Sequence, residues 1–341
     1  MRSAFVTAPY RVEIIDIPEP QVSDDSVLIR VRAAGICGSD LHLYKGTHAF
    51  RKPPAILGHE VTGDVVKIGK NVKGLKVGDR VTVEPHIPCG ACEYCKSGKV
   101  NLCLNKIVPG TEKWTGTFVE YFCAPESKTY KIVDHISYET GVLIEPLAVA
   151  NHALNMIKER QGKTLAILGS GTIGLLSLVS ALQSGFLKIY CTDTIPFNLE
   201  FAKELGAYRT INVREEDCVE IINRETSGRG VDAVIVAAGA PGIIDQASQI
   251  TCRTGTIVLV AMITEKIPVY TYNLVFKEQK LFGAMTYTTE DFKQAVDMVN
   301  DGMDISKLVT QALPMSQTQD GLEMLSNKTE NVVKIIVYPD K

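Results

Sequence analysis

No stretch of this chain limits its possible folds as tightly as Thr164-Leu-Ala-Ile-Leu168 followed by Gly169-Ser-Gly171-Thr172-Ile173-Gly174. A short apolar run reads as a buried strand, and the helix-length segment behind the glycines ends near Ser184. Strand, tight turn and helix must therefore follow one another with no linker. Each glycine then has a distinct role. Gly169 makes the turn, Gly171 lets a pyrophosphate approach the backbone, and Gly174 lets the helix lie against the strand. Further apolar runs at Lys188–Thr192, Val231–Val236 and Gly255–Val260 alternate with a helical stretch, Asn198–Leu205, closed by Gly206. That alternation predicts a doubly wound parallel sheet, with phosphates held at a helix N-terminus.

Asp193 ends the strand after the glycine turn, nineteen residues beyond Gly174. A carboxylate there accepts hydrogen bonds from ribose hydroxyls and repels a 2′-phosphate, so NAD is expected over NADP. Neither Thr194 nor Asn198 supplies a nearby cation. A cap for the following helix is the competing role for Asp193.

The first third has a different character. Ser26–Arg32 and Glu60–Val66 alternate apolar and polar residues between turn signals such as Gly69-Lys-Asn71 and Gly78-Asp79. Short strands with polar turns predict a compact β-rich domain. After about Gly283 come two amphipathic helices, near Asp291–Asn300 and Thr318–Leu325, and a last strand, Val332–Val337. The expected organisation is a β-rich domain over 1–150, a nucleotide-binding domain over 151–284, and a return to the first domain over 285–341.

Within the β-rich part, Cys89-x2-Cys92-x2-Cys95-x7-Cys103 can wrap four thiolates around one ion, with Gly90 and Gly98 supplying tight turns. A closed tetrahedron of thiolates is the arrangement of structural zinc, here a lobe over about 86–110. An iron–sulfur cluster and two disulfides are the competing readings, and the seven-residue gap before Cys103 disfavours the first. A net charge of −3 without basic blocks argues against a nucleic-acid partner. The first twenty residues lack the apolar stretch of a signal peptide, and no apolar run reaches membrane-spanning length. A cytoplasmic protein without a membrane partner is expected. In that reducing compartment nine cysteines favour metal ligation and burial over disulfides.

A second metal site is open rather than closed. Cys37 lies in Gly35-Ile-Cys-Gly-Ser-Asp-Leu-His42, and His59 and Glu60 lie in Gly58-His-Glu-Val-Thr-Gly63. Thiolate and imidazole on glycine-flanked loops suit zinc. Taken in order, GICGSDLH, GHE, the four cysteines, IEPLAVANHAL around Glu145 and GSGTIG resemble the zinc-containing medium-chain dehydrogenase family, in its polyol and sugar branch. The resemblance runs from Met1 to the final strand. It implies a GroES-like β-rich catalytic domain joined to a Rossmann domain, with one catalytic and one structural zinc per chain.

It further implies that Cys37, His59 and Glu145 approach the catalytic zinc, with Glu60 an additional or alternating ligand. Orientation of the site from outside the ligand set is the other role open to Glu60. By the same resemblance, Ser39 and His42 relay the proton of the substrate hydroxyl, and Asp40 between them is a scaffold residue. Zinc with one thiolate, one neutral imidazole and two carboxylates would carry a net charge of −1, which blunts its acidity. One carboxylate is therefore expected to leave during turnover.

The expected reaction is hydride transfer between NAD and a secondary alcohol of a polyol, sugar or sugar acid. Tyr44, His48, Phe50, Arg51 and Glu112-Lys113-Trp114 are candidates for the mouth of the site, with Arg51 or Lys113 available to a sugar carboxylate. An amino-alcohol dehydrogenase of the threonine type and a non-catalytic scaffold relative are the alternatives. Ile267–Tyr272 resembles the edge at which this family pairs sheets between subunits, so a homodimer or homotetramer is expected.

Overall fold

Paired strands organise both ends of the chain in the computed structural model, which describes residues 1–48, 51–327 and 331–339. The N-terminal stretch forms β1 (Arg2–Ala8), β2 (Arg11–Asp16), β3 (Ser26–Ile36), α1 (Gly38–Tyr44), β4 (Ala55–Ile56), β5 (Glu60–Ile68) and β6 (Arg80–Val83). There follow α2 (Glu93–Lys96), β7 (Tyr121–Pro125), β8 (Thr129–Lys131), α3 (Tyr138–Val142) and α4 (Ile144–Asn155). The middle comprises β9 (Thr164–Leu168), α5 (Thr172–Gln183), β10 (Lys188–Asp193), α6 (Pro196–Glu204), β11 (Arg209–Asn212) and α7 (Cys218–Glu225). It continues through β12 (Val231–Val236), α8 (Ile243–Ile250), β13 (Thr251–Leu259), α9 (Tyr272–Phe276) and β14 (Lys280–Gly283). The chain ends with α10 (Thr289–Asn300), β15 (Val309–Pro314), α11 (Thr318–Asn327) and β16 (Lys334–Tyr338). Two units result, one from Met1–Glu145 with the return segment from Thr288 onward, the other from Pro146–Tyr287.

The first unit contains a seven-stranded sheet of order β15-β16-β3-β5-β6-β8, with β7 also paired to β3, and a small sheet of order β2-β1-β4. β3 does not follow the alternation of its sequence. It is buried nearly throughout, because β5, β7 and β16 pair along its length and other elements cover both faces. Arg30 alone in β3 is exposed. The core on which these strands close includes Ile29, Leu57, Phe118, Phe122 and Ile335, all at 1% exposure or less. Trp114 stacks on Phe122 with ring centroids 5.4 Å apart, and its indole N–H donates to the Cys123 carbonyl.

In the second unit the six parallel strands run β11-β10-β9-β12-β13-β14. β9, the unit's first strand along the chain, lies in the middle and the order reverses beside it, so the turns after β9 and β12 diverge into a crevice. Ile167, Leu168, Ile235 and Val236 are fully buried in this sheet. Helices on both faces explain runs apolar at every position rather than at every second one.

Ile267–Tyr272 is not the sheet edge expected from its sequence. Residues 266–270 are irregular, Tyr272 begins α9, and Asp245 accepts the Tyr270 N–H at 2.8 Å. Pro268 has no N–H to offer a ladder, and Ile267 and Val269 pack against the core of the unit instead. The edge is β14, in which all four residues are exposed. Among the described residues no helix is long and apolar enough to cross a membrane.

Replacing Phe122 by Ala deletes a fully buried ring under Trp114, and its expected cost is about 3–5 kcal/mol. Denaturant unfolding checks this, and a midpoint equal to that of the parent would show that the Trp114 layer carries no stability.

Candidate active site

Sheet register brings the ligand-type residues together. Gly35 of β3 lies opposite Glu60 of β5, and Ile36 lies opposite Ile335 of β16. Cys37, just past β3, His59 and Glu60 at the start of β5, and Lys334 at the start of β16 therefore meet at one end of the sheet. Donor atoms of Cys37, His59 and Glu60 lie within 4.8 Å of one another, the clustering a single metal ion requires. A side chain at Gly35 would place its Cβ 1.8 Å from Glu60 Oε2, so the glycine is what makes room for the carboxylate.

Asp40 locks the two ligand loops. It is fully buried on α1, and its carboxylate accepts the Cys37 N–H at 3.0 Å and the Gly58 N–H at 3.2 Å. Asp40 Oδ1 also faces His59 Nδ1 at 3.6 Å. Burial pushes the Asp40 carboxyl up, but His59, Arg51 and the Cys37 amide outweigh it and hold its pKa below the ordinary value. Burial likewise presses the His59 imidazole down, and Asp40 and Cys37 lift it well above the usual histidine range. A cation is favoured at this point. Bound metal satisfies the same demand by displacing the proton.

Glu60 is completely buried and pairs with the Lys334 ammonium, itself 3% exposed. Apart from that ion pair, neither of its carboxylate oxygens has a hydrogen-bond partner. Burial pulls the Lys334 pKa down, and the charges of Glu60, Cys37 and Glu145 raise it above the ordinary lysine value. Glu145, buried in the first turn of α4, is outside the 4.8 Å group but near enough for Lys334 to feel its charge. Lys334 was missed by sequence reasoning. The signal was present: a lone ammonium in Val332-Val-Lys-Ile-Ile-Val337 requires a buried partner if the strand is internal.

Ser39 and His42 sit one turn apart on α1, and His42 Nδ1 lies 3.3 Å from Thr47 Oγ1. Ser39 Oγ accepts from Arg51 Nη2 at 3.2 Å. Arg51 is buried, turned inward to His48 Nε2 at 3.2–3.3 Å and to the Pro109 carbonyl at 3.4 Å. Burial and the Arg51 charge hold His48 down at about 4, which keeps its ring a neutral acceptor. These two residues build the loop rather than a free anion pocket. Tyr44 is also not at a mouth: it is 1% exposed and its hydroxyl is directed to the Tyr10 carbonyl and Glu323. Trp114 belongs to the core, while Glu112 and Lys113 are exposed. Phe50 lies outside the described residues.

The four remaining ligand-type cysteines form a separate lobe closed by the Ile87–Ile107 bridge. The sulfurs of Cys89, Cys92, Cys95 and Cys103 lie within 4.8 Å of one another, and the Cys92–Cys95 and Cys89–Cys95 separations are 3.5 and 4.0 Å. A tetrahedron with 2.3 Å zinc–sulfur bonds has edges of roughly 3.8 Å, between those two values. Gly90 and Gly98 both adopt positive φ, at 69° and 77°. The nine cysteines are all free thiols.

In the second unit the glycines of the turn behave as their spacing predicts. Gly169 has φ 101°, and a Cβ there would meet Ala238 Cβ at 2.5 Å. A Cβ on Gly174 would lie 1.9 Å from the Gly169 carbonyl oxygen. Gly171, which caps α5, has open space where a Cβ would be, the opening a diphosphate needs. Thr172 and Ile173 begin α5 directly after that glycine, which places the positive end of the helix dipole there. Asp193 accepts from the Ser170, Thr194 and Ile195 amides at 2.7–2.9 Å, so it ties the glycine turn to the start of α6.

Comparison with known proteins accounts for both units. Residues 23–134 match the family model of the alcohol dehydrogenase GroES-like domain, and residues 172–301 match that of the zinc-binding dehydrogenases. The chain is 36% identical to the sorbitol dehydrogenase of Bacillus subtilis strain 168, over all of this chain and 98% of the relative. It is 33% identical to the L-threonine 3-dehydrogenase of Caldanaerobacter subterraneus subsp. tengcongensis, over 98% of each chain. A solved structure from Sinorhizobium meliloti 1021, described as a zinc-binding dehydrogenase bound to NADP, superposes with a TM-score of 0.93 at 30% identity, covering 99% of each chain. The chain therefore belongs to the zinc-type alcohol and polyol dehydrogenases, oxidoreductases built from a GroES-like domain and a Rossmann-type domain.

Proposed function

We propose that this protein oxidises a secondary alcohol of a polyol, sugar or sugar acid with NAD, using one catalytic and one structural zinc ion. The observation that carries this reading is the convergence of Cys37, His59 and Glu60 beside α1, the helix that bears Ser39 and His42. Cys37, His59 and Glu145, with Glu60 beside them, would hold the catalytic ion, and Cys89, Cys92, Cys95 and Cys103 the structural one. Bound zinc supplies a Lewis acid that acidifies the substrate hydroxyl, and the nicotinamide accepts the hydride.

The chain itself handles the proton. Ser39, oriented by Arg51, takes it from the substrate hydroxyl, and His42 passes it outward. Gly169, Gly171 and Gly174 with the N-terminus of α5 cradle the cofactor diphosphate. Asp193 is held by three amides and, at 3.3 Å, by the Asn198 side-chain amide; ribose hydroxyls would replace the longest of these contacts, while the charge of Asp193 opposes a 2′-phosphate. No Lys or Arg occurs between Thr194 and Leu199 to offset that repulsion. The inward-turned Arg51 favours a neutral polyol over a sugar acid. A threonine-type amino alcohol is the second reading, supported by the 33% identical relative.

The free thiols suit a cytoplasmic enzyme. Two copies would pair through β14, an edge strand that carries the exposed Leu281 and Phe282.

A panel of polyols, aldonates and amino alcohols, read by reduced-cofactor absorbance, is expected to give turnover with a polyol and at least tenfold higher kcat/KM with NAD than with NADP. Equal efficiency with NADP sinks the assignment of Asp193, and turnover confined to amino alcohols selects the second reading. Asp40→Ala leaves two buried N–H groups and His59 without their partner. It should weaken the catalytic zinc about 10–100-fold. Metal analysis after dialysis should then find close to one zinc per chain instead of two. Light scattering during gel filtration should show a dimer or tetramer, and Phe282→Asp should shift it toward monomer.

A further inference from the structure

The charge count around the catalytic metal changes once Lys334 is included. Two carboxylates, one thiolate and one neutral imidazole around Zn(II) sum to −1, and the buried ammonium beside Glu60 offsets that one charge, the Asp40 carboxylate that faces His59 not being counted. Lys334 is 3% exposed and Glu60 fully buried, so neither charge can be balanced by solvent. β16 fixes the ammonium there, because Ile335 is in register with Ile36, the residue before Cys37. Gly35 leaves the carboxylate its space, neither Glu60 oxygen has a hydrogen bond, and one of them lies within 4.8 Å of the Cys37 and His59 donor atoms.

We propose that Lys334 is a positioning residue that governs how strongly Glu60 binds the catalytic zinc. By holding Oε2 in an ion pair, Lys334 prevents Glu60 from acting as a full carboxylate ligand, and the metal keeps a coordination position for substrate. Lys334 touches no reacting atom in this role. It acts through Glu60. The inference rests on the assignment of zinc to Cys37 and His59 made above.

A double-mutant cycle on the purified full-length enzyme tests it: Lys334→Met, Glu60→Gln, the double variant, and Lys334→Arg. The readouts are release of the catalytic zinc to a chromophoric chelator, with the four-cysteine zinc as internal reference, and the visible spectrum of the Co(II)-substituted protein. Lys334→Met frees Glu60 and is expected to hold zinc about tenfold more tightly, with a Co(II) spectrum altered by the added ligand. Glu60→Gln leaves an uncompensated ammonium and is expected to release zinc about tenfold faster. The double variant should return close to the parent, and Lys334→Arg should resemble it.

Zinc release and Co(II) spectra of Lys334→Met identical to those of the parent overturn the proposal. If Lys334→Met does not fold, the remaining pair decides. Glu60→Gln must then lose zinc faster than the double variant, and equal rates overturn the proposal. A parent that holds only the four-cysteine zinc refutes the underlying site assignment instead, an outcome distinguishable from both.

Discussion

The candidate active site follows from the register of β3 against β5 and β16. Gly35 opposite Glu60 and Ile36 opposite Ile335 place a thiol, an imidazole, a carboxylate and an ammonium at one end of one sheet. A slip of one residue would turn each of these side chains to the opposite face. Asp40 then closes the arrangement across the loops. One carboxylate takes the amides of Cys37 and Gly58 and faces His59, so the two segments that carry the candidate metal donors cannot separate without stranding buried polar groups.

Electrostatics at this centre follow from burial more than from any single pair. Asp40, Glu60 and Lys334 are all withdrawn from water; Asp40 has amides and His59 aimed at it, and Glu60 and Lys334 face each other as an ion pair. Such a cluster is costly to assemble, because each buried charge needs a partner close to it. The sequence alone suggested an excess negative charge that one carboxylate must relieve by leaving. Lys334, paired with Glu60, brings a positive charge to the same place.

Where expectation and structure part, the cause is packing. Tyr44 and Trp114 read as candidates for a substrate mouth because they follow site motifs, yet large rings adjacent to loops are also what a small β-rich domain buries. Arg51 read as an anion partner. Its guanidinium is instead consumed by His48, Ser39 and a carbonyl, contacts that span up to 58 positions of sequence and cannot be seen in it. Ile267–Tyr272 resembled the family's pairing edge, but its Ile267 and Val269 pack on the core of the second unit, and β14 supplies an edge.

Local chemistry was legible in residue order: glycine spacing for a phosphate-binding turn, four cysteines at metal-binding intervals, a Cys and a His on glycine-flanked loops, and strands alternating with helices. Backbone sterics and donor atoms a few residues apart decide such features. The partners of Asp40, Glu60 and Lys334 were settled only when the sheets closed. Lys334 meets Glu60 from 274 positions away in the chain. No local pattern encodes such a meeting, because it arises from strand pairing driven by the burial of a whole sheet. What the residues Gly-His-Glu announce as a metal site thus becomes, through β16, a site whose carboxylate is already paired.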